Sequence, residues 1–369
     1  IIAPHTDSED ASRLELPLGL YLDSVNDRLY AVNTGQNTPA VLIYENASTL
    51  NGGPVPDRVV AGLNTQLTVP AGIDVDVATN RVFIVNNNSP NNVNASGGAN
   101  TDSPSILVFN DINITCTAAL CNVNPSRRIG GDVSTESATT LSNPLGIAFD
   151  PVRDITYVAN TGGNNVLLYS LEGNLAPLKV NTGANTSLFV PSSFFYDTVL
   201  DRLYVANAST GSSPAPFSVY DQVSNQAFGS AAVPSNLAPS WKLAAASNFE
   251  KPRGIYMDKT RNLMIFLDGK TGSGFGLFIY DLTSGFQDAT IPPFPPTFAP
   301  IAFPVHDAIG PTGKTLAPPT FQRSSTTGLS AGGPTGLAVD EARGLIYVSE
   351  KNTNSVVVCD YATTTALIR

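Results

Sequence analysis

Charged residues are scarce in this chain: only 14% of its 369 residues are Asp, Glu, Lys or Arg, against about 25% in an average soluble domain. Long apolar runs are missing as well, since no stretch approaches the roughly 18 residues that indicate a membrane-spanning helix. Hydrophobic residues nevertheless make up 42% of the chain, enough for a full core, which excludes a disordered protein. The polar surface comes from uncharged residues instead, and the chain has 32 Asn, 30 Gly and 28 Pro.

Basic residues are few and dispersed. The chain has 20 Lys and Arg against 30 Asp and Glu, its net charge is −10, and its only adjacent basic pair is Arg127 and Arg128. Proteins that bind nucleic acids need clustered Lys and Arg to displace counterions, and anionic membrane surfaces attract the same clusters. We therefore predict that nucleic acid is not a partner and that the chain does not insert into a membrane.

Cysteine and histidine are nearly absent, with three and two residues. Cys116 and Cys121 are close enough in sequence to form a disulfide if their Cα atoms come within about 7 Å, and two free thiols are the second reading. A zinc site would need further Cys or His ligands, so a metal is the last reading. His5 and His306 lie in no catalytic motif, and the adjacent His306 and Asp307 cannot by themselves form a triad. Catalysis by histidine is therefore not predicted.

Six segments of the chain align with one another without gaps. Each opens on Pro and carries Asp six residues later, an aromatic residue or Ile thirteen later, and Asn, Asp or Glu sixteen later. Gly stands two residues after the Pro in five segments, and Ser193 takes its place in the fourth. The segments are residues 17–33, 70–86, 144–160, 191–207, 252–268 and 334–350. Such repetition predicts an architecture built from repeated units.

Each repeat predicts a group of short strands. A run such as Gly146–Phe149 is too apolar for an edge strand and is expected near the centre of the fold, and the Asp that follows is expected to form a tight turn. A second strand, a variable loop, a third strand and a weaker fourth complete the repeat, with Thr365–Arg369 as the last fourth strand. Four antiparallel strands repeated six times predict an all-β, six-bladed β-propeller. Cys359 stands where the other third strands carry an aromatic residue, which predicts a buried structural thiol.

The segments Asn143–Pro151 (NPLGIAFDP) and Tyr157–Tyr169 (YVANTGGNNVLLY) resemble NHL-type repeats and the related YVTN-type surface-protein repeats. The resemblance extends over nearly the whole chain and implies a six-bladed propeller. It implies no single function, because relatives of this kind include extracellular binding modules, scaffolds, lyases and lactonase-like hydrolases. The chain departs from the repeat pattern at Ser193, Ile265 and Leu267, which changes the local packing expected there but not the fold.

The repeats also predict the organisation of the chain. We expect an N-terminal arm or added strand over residues 1–16 and a single propeller over residues 17–369, with blades starting near residues 17, 70, 144, 191, 252 and 334. A Pro-rich insertion over residues 292–333 is expected either to pack on the propeller as a lid or to present an apolar patch to a partner. The residues expected to contact a partner are four Phe of the insertion and the first two residues of the chain: Phe294, Phe298, Phe303, Phe321, Ile1 and Ile2.

The residues that end the six second strands carry side-chain oxygens, which are the ligands that Ca²⁺ prefers. They are Asn33, Asn86, Asn160, Asn207, Asp268 and Glu350. The resemblance implies a calcium site here, because lactonase-like propellers hold calcium with such residues at the tunnel mouth. The other reading is structural, because Asn at a strand end commonly hydrogen-bonds its own loop and a catalytic site needs an asymmetry that identical placement lacks. We favour the structural reading and predict no cofactor, with Ca²⁺ as the alternative.

The first residue is Ile rather than Met, and no basic and apolar leader follows, so either a signal peptide was removed or the chain was trimmed. A polar surface poor in Lys favours removal, and we expect the protein to be extracellular or at the cell surface. Low charge lets like copies approach closely, and outer edges poor in Lys lack the usual protection against edge pairing. We therefore predict a non-enzymatic structural or protein-interaction module that binds other protein subunits, including copies of itself. The alternative is a calcium-dependent lactonase-like hydrolase with its site at the tunnel mouth. A third reading, glycan binding, would need aromatic residues that face a cleft.

Overall fold

The computed structural model describes residues 13–35, 39–87, 104–112, 116, 119–130, 136–172, 176–208, 216–225, 228–242, 251–269, 275–281 and 329–361. In chain order the strands are β1 Pro17–Asp23, β2 Arg28–Asn33, β3 Ala40–Glu45, β4 Arg58–Ala61, β5 Pro70–Asp76, β6 Arg81–Asn86, β7 Ser105–Asn110, β8 Leu120–Cys121, β9 Arg127–Gly130, β10 Pro144–Asp150, β11 Ile155–Asn160, β12 Asn165–Ser170, β13 Lys179–Asn181, β14 Pro191–Asp197, β15 Arg202–Asn207, β16 Phe217–Tyr220, β17 Trp241–Lys242, β18 Pro252–Asp258, β19 Leu263–Asp268, β20 Gly276–Asp281, β21 Pro334–Asp340, β22 Leu345–Glu350 and β23 Ser355–Asp360. The helical segments in these ranges are α1 Glu136–Thr139 and the 3₁₀ turns Ala47–Thr49, Leu63–Thr65, Thr161–Gly163 and Ala184–Thr186. None of the described helices has the length and apolar character needed to cross a membrane.

The strands form six small sheets, each led by one of the strands that begin on Pro. Three sheets contain the predicted four antiparallel strands: β5-β6-β7-β9, β10-β11-β12-β13 and β14-β15-β16-β17. The sheets β18-β19-β20 and β21-β22-β23 have three strands each among the described residues, and the predicted strand Thr365–Arg369 lies outside them.

The prediction of four antiparallel strands in every sheet is wrong for the first sheet, which has the order β1-β2-β3-β4-β8. Its fifth strand, β8, comes from the long connection between β7 and β9 and runs parallel to β4, with Val59 opposite Leu120. The Val59 N–H also donates to the Ala119 carbonyl at 2.9 Å. The added strand satisfies backbone groups that an edge strand would otherwise expose.

Proline and glycine together explain how each first strand is placed. The ladder between first and second strands has an irregularity directly after the Pro, as between Pro144 and Gly146, because Pro has no N–H to donate. The Gly that follows lets neighbouring first strands approach closely. A Cβ on Gly72 would lie 2.2 Å from the Leu145 carbonyl oxygen, and one on Gly336 would lie 2.0 Å from that of Leu18. The repeated Gly is therefore a requirement of packing between sheets.

The first strands contact one another in chain order, β1 with β5, β5 with β10, β10 with β14, β14 with β18 and β18 with β21, and β21 contacts β1. The core follows the same order, since each of six apolar clusters lies between two neighbouring sheets, including the last and the first. Second strands such as β11 are buried over nearly their whole length because both of their faces pack against another sheet. Small antiparallel sheets packed face to face in this way define a β-propeller fold.

The six Asp residues that end the first strands form turns, as predicted. The Asp150 carboxylate accepts the N–H of Val152 at 2.9 Å and also binds the Arg153 guanidinium at 2.8 Å. The other five make the same kind of bond to the turn that follows them: Asp23, Asp76, Asp197, Asp258 and Asp340. The turns between first and second strands are therefore short and rigid.

Candidate functional site: two cavities between the first strands

Two cavities lie between the first strands and share a wall of six apolar side chains, each three residues after the opening Pro. This wall, called here the apolar ring, consists of Leu20, Ile73, Ile147, Phe194, Ile255 and Leu337, all of which line both cavities. One cavity, the loop-side cavity, lies toward the Pro ends of the first strands. The other, the turn-side cavity, lies toward the short turns between first and second strands. The apolar ring separates two sites of different chemistry.

The turn-side cavity has a volume of about 440 Å³ and is rich in aromatic residues. Tyr21, Phe195 and Tyr256 occupy the same repeat position, four residues after the Pro, and Phe195 and Tyr256 pack edge to face with their centroids 4.8 Å apart. Tyr196 also lines the cavity and donates from its hydroxyl to Asp150 at 2.9 Å. The wall is thus preorganised by ring packing and by hydrogen bonds to turn carboxylates.

Asp74 is the exception at this repeat position, because the other five first strands carry Tyr, Ala or Phe there. Its carboxylate lines the turn-side cavity and accepts the Phe149 N–H at 2.7 Å and the Val75 N–H at 2.8 Å. Burial raises the pKa of Asp74 to about 7, although the two backbone hydrogen bonds oppose the rise. A carboxyl group that titrates near neutral pH in a cavity is a candidate functional group. The shared repeat pattern does not reveal Asp74, but a comparison of the repeats position by position does.

The loop-side cavity is smaller, about 180 Å³, and has a different lining. Glycines of the first strands, such as Gly19 and Gly72, leave backbone exposed to it, and Ser192 and Thr335 add hydroxyl groups. Its charged lining residues in the described part of the chain are Arg253 and Lys351. Neither cation was predicted as a site residue from the sequence, although each is the only charged residue at its position in the six repeats.

The six residues predicted as an acidic and amide ring lie at the ends of the second strands and line neither of the two cavities. Their oxygens accept backbone N–H groups of the segments that lead into the first strands: Asn33 from Glu15, Asn86 from Thr68, Asn160 from Ser142, Asn207 from Phe189, Asp268 from Lys251 and Glu350 from Ser330. In the described ranges no three His, Cys, Asp or Glu side chains converge as metal ligands would. Calcium binding by this set stays a prediction.

Cys116 and Cys121 are both buried and belong to the same apolar cluster between the first two sheets. Their disulfide stays a prediction. Cys359 is buried in the cluster between the last two sheets, as expected of a structural thiol. The predicted partner-contacting residues lie outside the described residues: Phe294, Phe298, Phe303, Phe321, Ile1 and Ile2.

The comparisons with known proteins identify a fold and no family. No family model and no curated protein matches the sequence. Among solved structures, hydrazine synthase of Kuenenia stuttgartiensis is similar with a TM-score of 0.54 and 13% identity, over 99% of this chain and 82% of that one. A Bacteroides thetaiotaomicron protein of unknown function is similar with a TM-score of 0.51 and 13% identity, over 97% of this chain and 73% of that one. At these identities the likeness concerns the fold alone, which is a β-propeller.

Proposed function

We propose that the six sheets are the six blades of one closed propeller and that the protein is a non-enzymatic interaction module. Closure is supported by the Gly336 backbone, which lies against Leu18 of the first sheet, and by the Thr335 hydroxyl, which donates to the Pro17 carbonyl at 2.8 Å. The Ser349 hydroxyl adds a second bond from the last sheet to the first, to the Leu18 carbonyl at 2.5 Å. A rigid ring of this kind presents its turns as a fixed surface.

The observation that carries the interaction role is an apolar surface on the short turns. Val25, Val152, Val199 and Leu200 are exposed at the turn tips of the first, third and fourth sheets, and the three valines are 85%, 71% and 82% exposed. Each of these turns also contributes a residue to the rim of the turn-side cavity, as Ser24 does beside Val25. Exposed aliphatic residues grouped around one opening are typical of a protein contact surface.

The first partner that we propose is a second copy of this chain. Two identical apolar faces related by a twofold axis are complementary to each other without any further design. The turn tips face solvent, and burial of a Val or Leu side chain stabilises association by up to about 1.5–3 kcal/mol. Extracellular location and a role for the N-terminal arm, including Ile1 and Ile2, belong to the same proposal.

Light scattering coupled to size-exclusion chromatography over a range of concentrations tests this proposal. Wild-type protein is expected to self-associate. Association should be at least tenfold weaker in the triple variant with Val25→Thr, Val152→Thr and Val199→Thr, because Thr keeps the shape of the Val side chain but removes apolar surface. The matched control is Val55→Thr with Val233→Thr, because these two valines lie elsewhere and are 64% and 73% exposed.

Three results would separate the alternatives. A wild-type protein that stays monomeric, or a control variant that dissociates as readily as the triple variant, would overturn the self-association proposal. Dissociation on removal of residues 1–5, with the triple variant unaffected, would assign the contact to the N-terminal arm instead. Calcium-dependent lactone hydrolysis would favour the hydrolase alternative.

A further inference from the structure

The loop-side cavity brings together two cations from neighbouring sheets. Arg253 is the second residue of β18 and Lys351 directly follows β22, so the fifth and sixth sheets each supply one. No acidic residue lines this cavity in the described part of the chain. Neither side chain has a hydrogen bond or an ion pair there, in contrast to Arg153 and Arg261, which are bound to turn carboxylates. The net charge of −10 makes this local excess of positive charge unexpected.

The nearest acids are occupied by the backbone. The Asp268 carboxylate accepts the Lys251 N–H at 2.9 Å, and the Glu350 carboxylate accepts the N–H and hydroxyl of Ser330 at 2.7 and 2.9 Å. Burial lowers the pKa of Arg253, although the charge of Asp268 opposes the fall. Burial and the charges of Arg253 and Lys251 lower the pKa of Lys351, although the charge of Glu350 opposes the fall. Both cations are therefore held in the cavity at a cost in solvation, which a bound anion would offset.

The lining also supplies neutral donors. Among the described residues, each first strand has a partner strand along only one edge, which is the second strand of its own sheet. Gly19, Gly72, Gly146 and Gly336 carry no side chain to cover the backbone along this wall. Backbone N–H groups next to a cation are a common feature of oxyanion sites.

The volume limits the size of the ligand. At roughly 30 Å³ for each water molecule, a cavity of about 180 Å³ has room for an inorganic phosphate or a short carboxylate. We propose that the loop-side cavity binds one small oxyanion between Arg253 and Lys351, with the glycine backbone of the first strands supplying further hydrogen bonds. This site is independent of the turn-side interaction surface, because it lies on the other side of the apolar ring.

Calorimetric titration and thermal unfolding test the site with two probes, inorganic phosphate and malonate, at constant ionic strength set with chloride. At least one probe is expected to bind saturably and raise the melting temperature. Lys351→Met and Arg253→Met are each expected to weaken binding at least tenfold. Lys351→Met is also expected to raise the melting temperature without any anion, because it removes an unpaired charge from the cavity.

Lys259→Met is the matched control, since it removes the same charge from the turn side, where Lys259 pairs with Asp197 at 3.2 Å. It should leave anion binding unchanged. Binding of phosphate alone, of malonate alone or of both would support the site and define which oxyanion it takes. Absence of saturable binding of either probe, or equal loss in Lys259→Met, would overturn it. If Lys351→Met fails to fold, Arg253→Met and Lys351→Gln provide the same test.

Discussion

Asp74 is expected to make the protein less stable as the pH rises from about 4 to 7. Its carboxyl group has a pKa near 7 in the folded chain, against 3.8 for the ordinary group. Between these values the folded protein holds a proton that the unfolded chain has lost, so the free energy of unfolding falls as the pH increases. This contribution is fully present below about pH 4 and disappears as the pH passes 7.

The structure sets the size of the effect. At 1.36 kcal/mol per pH unit, the difference between 3.8 and about 7 corresponds to an upper bound of about 4 kcal/mol. Asp74 lines the turn-side cavity, where water can solvate the carboxylate, so we expect about 1–3 kcal/mol. Asp74→Asn removes the titration but also loses one acceptor, because the Val75 and Phe149 N–H groups bind different carboxylate oxygens and one of these becomes an NH2 group. That loss should cost about 1–2 kcal/mol at every pH.

Denaturant unfolding of wild type and Asp74→Asn at several pH values between 4 and 8 tests the prediction. The variant should be the less stable protein at pH 4, and the gap should close or reverse by pH 8. Asp76→Asn is an internal contrast in the same strand. Burial favours a higher pKa for Asp76, but hydrogen bonds from Thr79 and Arg81 lower that pKa below its ordinary value. The stabilisation that the Asp76 carboxylate provides is therefore lost as the pH falls. A gap between wild type and Asp74→Asn that is constant from pH 4 to 8 would refute the reasoning.

Two further predictions concern packing. Gly336→Ala should lower the free energy of unfolding by more than about 2 kcal/mol in denaturant titrations, because its Cβ would lie 2.0 Å from the Leu18 oxygen. Ser193→Ala is the control and should change the free energy of unfolding by less than about 1 kcal/mol, because a Cβ is already present there. Equal effects of the two substitutions would contradict the packing argument. Burial raises the pKa of the Cys359 thiol to about 12, so a thiol reagent at pH 8 should modify this residue only after unfolding. A comparison of the modification of wild type and Cys359→Val measures this. Modification of Cys359 in the folded protein at the rate of an exposed thiol would contradict the prediction.

Much of the fold could be predicted because its determinants repeat. The opening Pro, the Gly two residues later and the turn-forming Asp recur at fixed spacing, so six copies agree on where each first strand begins and ends. The five-stranded first sheet could not be predicted. Its added strand, Leu120–Cys121, comes from a connection outside the repeat, and parallel pairing with Val59 depends on where that connection returns in space.

The candidate sites were missed for a related reason. The metal ligands predicted from the sequence were residues that recur, such as Asn160, and in the structure that side chain hydrogen-bonds the backbone at Ser142 and Thr140. The six side chains, four Asn, one Asp and one Glu, each accept a hydrogen bond from the segment that leads into the first strand of their sheet.

Because the six sheets are nearly equivalent, function depends on the positions where one sheet differs from the rest. The cavity walls come from the same few repeat positions in every sheet, so a substitution in a single repeat changes the chemistry of one cavity without disturbing the packing of the others. Asp74 stands where the other repeats have Tyr, Ala or Phe. Arg253 stands where they have Leu, Ala, Ser or Thr, and Lys351 stands where they have Thr, Asn, Ala or Gly. Asp74 lies on the turn side of the apolar ring, and Arg253 and Lys351 lie on the loop side. The loop-side cavity is therefore lined by cations and the turn-side cavity by a carboxyl group, and the two cavities should select different ligands.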